Sequence, residues 1–79
     1  MITCVMQGDV LLHVAVAEIP QEYFNPVFDR DPDCELTFYR YSAGSDAWWH
    51  CDHKTGLNFT SIQHEQVPAA ARLAATIGG

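Results

Sequence analysis

Hydrophobic residues fall in short runs separated by turn-forming clusters, and most of the runs repeat with a period of two. That spacing predicts strands, because successive side chains on a strand point to opposite faces. The first two runs, Ile2 to Gln7 and Val10 to Ala17, flank Gly8-Asp9, a pair suited to a tight hairpin with glycine at the first central position. A two-residue loop pairs Gln7 with Val10 and Val5 with Leu12. One face then carries Thr3, Val5, Val10, Leu12, Val14 and Val16, and the other Ile2, Cys4, Met6, Leu11, His13 and Ala15. Both faces are largely apolar, so each needs a cover: a helix on one, and a long loop or a partner on the other.

Three more strands are expected further along. Glu35 to Ser42 is rich in β-formers, Ala43 to Asp46 is a turn cluster, and Ala47 to His53 returns. Lys54-Thr55-Gly56 turns again into Leu57 to Gln63. Pairing Tyr41 with Trp48 places Leu36, Phe38, Trp49 and Cys51 on one face, and a three-residue loop at Gly56 adds Leu57 and Phe59 to it. The opposite face holds Thr37, Tyr39, Tyr41, Trp48, His50 and Asp52.

Between the two groups of strands, residues 19–34 contain Pro20, Pro26 and Pro32, which remove ladder donors and mark a connection rather than a strand. Pro20 can start one helical turn around Gln21 to Phe24. At the end of the sequence, Val67 to Gly78 reads as a helix, with Pro68 in its first turn and Gly78 at the C-cap. Val67, Ala70, Leu73, Ala74 and Ile77 form its apolar stripe. A helix this short does not hold alone in water, so it must dock on the sheet. The expected fold is therefore α+β, an antiparallel sheet of about five strands with one C-terminal α-helix packed on it, in a single domain spanning residues 1–79.

Composition changes this picture in one respect. With 48% hydrophobic residues among its 79, the chain can build one core. Its ten acidic and four basic residues give a net charge of -6. Such a field repels phosphate backbones and attracts basic surfaces, which argues against direct nucleic-acid binding. Three cysteines cannot all pair with one another, no apolar run approaches a membrane span, and the first residues lack a positively charged leader. The expected compartment is a reducing cytoplasm.

Candidate chemistry is sparse. His50-Cys51-Asp52-His53 supplies at most two zinc ligands to each face of a strand. Asp29-Arg30-Asp31-Pro32-Asp33 begins like a calcium loop, but has Cys34 where glycine is needed and Arg40 where a bidentate glutamate is needed. No serine or cysteine lies in a nucleophile elbow or phosphate cradle. The expectation is a protein without enzymatic activity, cofactor or metal. What remains is a surface: Asp29, Asp31, Asp33 and Glu35 recur at every second position and would share one side of an extended chain. Beside them, Tyr39, Tyr41 and Trp48 line the face away from Phe38 and Trp49, and aromatics at a charged rim suit a protein interface. In the competing arrangement, loop 19–34 covers those aromatics as a second small core.

A small acidic α+β chain of this kind, without catalytic motifs, resembles the phage-encoded anti-CRISPR proteins in its profile over the whole length, though not in any motif. The resemblance implies a non-enzymatic inhibitor that binds a CRISPR effector complex in the host cytoplasm, its carboxylates meeting basic residues that otherwise hold phosphate. An immunity or antitoxin-like binding module and a small zinc domain using Cys51 and His53 are the alternatives. The chain would act as a monomer or homodimer.

Overall fold

A computed structural model describes residues 1–17, 21–52 and 58–78. Five strands form one antiparallel sheet in the order β2-β1-β3-β4-β5. They are β1 (Ile2–Gln7), β2 (Val10–Ala15), β3 (Thr37–Ser42), β4 (Ala47–Asp52) and β5 (Thr60–Ile62). A C-terminal helix, α2 (Ala69–Gly78), lies on one face, preceded by a 3₁₀ turn at His64–Gln66. The opposite face is covered by the connection between β2 and β3. That connection contains a 3₁₀ turn (Gln21–Phe24) running into α1 (Asn25–Arg30). The fold is the expected α+β arrangement.

β1 sits between β2 and β3, and residues 2–6 are all at most 4% exposed, so this strand has no wet side. Ile2, Cys4 and Met6 pack with Trp48, Val67, Ala71 and Ala75 beneath α2. Val5 packs with Phe24, Cys34, Leu36 and Phe38 beneath the connection. Thr3 is the one polar side chain buried among them, and its hydroxyl donates to the Ala17 carbonyl at 2.6 Å. That bond offsets the desolvation of the hydroxyl.

Several details depart from the sequence expectation, each for a physical reason. The hairpin turn is as expected, with Gly8 at φ 57°, a conformation that costs glycine little. The ladder beyond it is not. Gln7 faces Val10 and Met6 faces Leu11, but Val5 faces His13, so Leu12 is an extra residue in a β-bulge. The bulge moves His13 and Ala15 to the Val5 face and Val14 to the Cys4 face. His13 thereby reaches the rings of Tyr23 and Phe24, at 5.7 and 6.4 Å. β2 also ends at Ala15, two residues early.

The connection is more helical than its prolines suggest. Pro26 lies in the first turn of α1, where a missing N–H breaks no helical bond. Trp49 is only half-buried, and the tryptophan in the core is Trp48. β3 and β4 pair as expected, with Tyr41 opposite Trp48. β4 and β5 meet with His50 opposite Thr60, the register that a three-residue loop at 54–56 implies. That loop, with His53 and Leu57, lies outside the described residues.

The apolar stripe of α2 is the largest correction. Val67 just before the helix and Ala71 and Ala75 within it are buried, whereas Leu73 and Ile77 are 62% and 78% exposed. The sheet face beneath is already filled by Met6, Trp48, Tyr39 and Tyr41, which leaves room for methyl groups and little more. The helix turns its alanine face inward, and the Cys4 thiol lies 3.8 Å from the Ala71 carbonyl.

Two substitutions test this docking. Ala71→Leu overpacks the interface and costs about 1–3 kcal/mol, whereas Leu73→Ala stays within about 0.5 kcal/mol of the parent. Urea unfolding measures both, and a larger loss from Leu73→Ala would show that the opposite face docks.

Candidate functional site

The residues singled out from the sequence fall on two sides of the sheet. Asp29 lies in α1, Asp31 caps its C-terminus, and Asp33 and Glu35 lead into β3. All four are exposed. Asp33 and Glu35 alternate with buried Cys34 and Leu36, so this stretch pins itself to the Phe38 face while showing its carboxylates to water. The Cys34 amide donates to the Asp31 carbonyl at 3.0 Å, and Gln7 Nε2 donates to Cys34 Sγ at 3.1 Å, fixing the turn between them. The carboxylates do not follow the single extended row expected, because α1 winds the chain through Asp29.

Tyr39, Tyr41 and Trp48 lie on the other side, under or beside α2. Trp48 is 4% exposed and belongs to the core, and the two tyrosines are half-buried. The covering element is α2 and not loop 19–34, because alternation from buried Phe38 and Leu36 commits the loop to the opposite face. The acidic and aromatic groups are thus separated by the thickness of the sheet and do not form one surface.

Each tyrosine has a defined neighbour. Tyr39 stacks on His50 with ring centroids 6.2 Å apart, and burial, with the nearby Asp52 charge, pushes its phenol above the usual range. Tyr41 tilts against Trp48 at 4.9 Å and donates its hydroxyl to Asp46 Oδ1 at 2.8 Å. That hydrogen bond raises the Tyr41 phenol, with smaller contributions from burial and the Asp46 charge. Asp46 stands at φ 48°, a left-handed turn position that aspartate tolerates better than most residues.

Among the described residues, no group of three His, Cys, Asp or Glu side chains could hold a metal ion, and no helix is long and apolar enough to cross a membrane. His53, the proposed partner of Cys51, lies outside those residues. Arg40 lies over the Phe59 ring at 3.7 Å, a cation–π contact on the Phe38 side of the sheet.

One concave feature was not anticipated. A cleft of about 280 Å³ opens between the β3–β4 hairpin, the 3₁₀ turn at His64 and α2. Tyr41, Ala43, Trp48, His64, Arg72 and Thr76 line it. Its one mark in the sequence is Arg72, the single charged residue in an alanine-rich helix, which does not by itself reveal a cleft.

No family model matches the chain, and comparison with the curated proteins and with the solved structures found no match.

The thiols give a direct check on this geometry. None of Cys4, Cys34 and Cys51 is in a disulfide, each is at most 3% exposed, and burial pushes the Cys4 thiol up. A thiol reagent added to the folded protein at neutral pH should label none of them within minutes, and all three in denaturant. Rapid labelling of a single cysteine in the folded state would contradict the packing around it.

Proposed function

We propose that this chain is a non-enzymatic protein-binding module that meets a basic partner surface through Asp29, Asp31, Asp33 and Glu35. The observation that carries the reading is the outward display of all four carboxylates on a segment whose alternate residues, Cys34 and Leu36, anchor it to the core. Such an anchored display needs little ordering on binding, which favours affinity. In a chain of net charge -6 it also steers approach to a cationic surface. The narrower form of the proposal is an anti-CRISPR-type inhibitor acting in the host cytoplasm. Its carboxylates would pair with the lysines and arginines by which a CRISPR effector complex holds nucleic acid. An immunity or antitoxin-like module would use the same surface on a different partner. Trp48 has no part in the proposed contact, and Tyr39 and Tyr41 serve the α2 interface.

Competition between this protein and target DNA for a CRISPR effector complex tests the narrower form. The parent chain should displace DNA, and more strongly at low salt. A variant with Asp29, Asp31, Asp33 and Glu35 all changed to Lys should lose about 100-fold or more in potency while keeping its fold, because every substituted side chain is exposed. Full inhibition by that variant would remove the carboxylate contact, and no displacement by the parent chain would remove the CRISPR target.

Edge strand β2 favours a second reading, self-association. Val10, Leu12 and Val14 on the strand and Val16 just beyond it are all exposed, apolar surface of a kind that edge strands usually avoid. Light scattering over a concentration series should then show a dimer that Val14→Lys dissociates. A monomer at every concentration removes this reading.

A further inference from the structure

The cleft beside α2 is distinct from the carboxylate surface and lies on the other side of the sheet. Two of its lining residues carry a buried nitrogen donor with no acceptor among the described residues, Trp48 Nε1 and Arg72 Nε. An indole N–H can only donate, and so can every nitrogen of a guanidinium. Buried donors without partners are rare because each forfeits the hydrogen bonds it made to water. Both residues line the cleft, and the Arg72 guanidinium brings it a positive charge that no carboxylate among the described residues answers.

The other groups around the cleft restrict what an acceptor there can be. The Tyr41 hydroxyl is already given to Asp46, and the Thr76 hydroxyl to the Arg72 carbonyl at 3.0 Å, so neither is a spare donor. Among the described residues no ion pair engages Arg72. Asp46 beside Tyr41, Glu65 beside His64 and the net charge of -6 all oppose a dianion. A planar monoanion matched to the guanidinium fork is favoured instead. The walls are apolar where Ala43, Ala75 and the Tyr41 and Trp48 rings contribute. The volume of about 280 Å³ is near the lower end for ligand sites.

We propose that this cleft binds a small monocarboxylate with an apolar or aromatic body, its oxygens accepting from the terminal nitrogens of the Arg72 guanidinium, with the Trp48 ring as part of the wall. The body lies against Ala43, Ala75 and the Tyr41 ring. Helix α2 brings Arg72 to the site while Ala71 and Ala75 dock it on the sheet.

Benzoate is a suitable probe, read by the indole N–H resonances of ¹⁵N-labelled protein. Trp48 and Trp49 give the two signals, and Trp49→Phe assigns them. Trp49 projects from the opposite face of β4 and serves as the internal control. Titration should shift the Trp48 signal saturably with a Kd on the order of 1 mM or tighter and leave Trp49 nearly still. Benzamide, isosteric but uncharged, and inorganic phosphate should each bind at least about 10-fold more weakly. Arg72→Gln should weaken benzoate by at least about 10-fold, with amide dispersion showing the fold intact, and Arg72→Lys should weaken it by less. A Trp48 signal that does not saturate, benzamide binding as well as benzoate, phosphate binding more tightly, or unchanged affinity in Arg72→Gln would each overturn the proposal.

Discussion

Strand β1 determines the rest of the structure, because it has no face that water can reach. Residues 2–6 contribute apolar side chains to both sides of the sheet, with Thr3 the lone polar member, and β2 and β3 take up its backbone on both edges. A 79-residue chain has little material with which to cover two faces. It covers one with a ten-residue helix docked through alanines. For the other it uses a connection whose apolar residues, Phe24, Cys34 and Leu36, face inward and whose carboxylates face outward. The acidic surface is therefore a by-product of how the second face is closed, as well as a candidate contact.

This division explains why the aromatic and acidic groups part company. Their nearness in sequence suggested one surface, since Glu35 is only four residues from Tyr39. On a strand, however, the side that a residue faces is decided by parity. Leu36 and Phe38 go to the connection side, and Tyr39 and Tyr41 go to the helix side. Trp48 follows Tyr41 across the ladder and is buried with it. The helix that buries these rings also brings Arg72 over the hairpin end, which creates the cleft.

Much of the fold was legible because its signals are local. Gly8-Asp9 sets the first hairpin, Ala43 to Asp46 sets the second, and the register of Tyr41 with Trp48 follows from the length of that turn. The covering of both faces was legible from the apolar content of both sides of the first hairpin. The bulge at Leu12 was not, because alternation carries no mark of an inserted residue when both faces are apolar. The rotation of α2 was hidden for a similar reason. Leu73 and Ile77 dominate any hydrophobic stripe, yet the space left by Trp48 and Met6 admits only Ala71 and Ala75. Helix α1 was masked by Pro26, which breaks a helix interior but suits a first turn. Of the candidate site, the four carboxylates were legible as exposed groups. The cleft was not, since it depends on a contact between a helix and a hairpin end more than twenty residues apart in the chain.

Strand β1, covered on both faces and paired on both edges, holds the domain together. Native-state hydrogen exchange across a denaturant series measures this directly. The amides of Cys4, Val5 and Met6 should exchange only through global unfolding, with opening free energies equal to the equilibrium stability. Amides of edge strands β2 and β5 should open at lower free energy. Exchange of the β1 amides at the same low free energy as those of β2 would show that one of the two covers is not in place and that β1 does not hold the domain together.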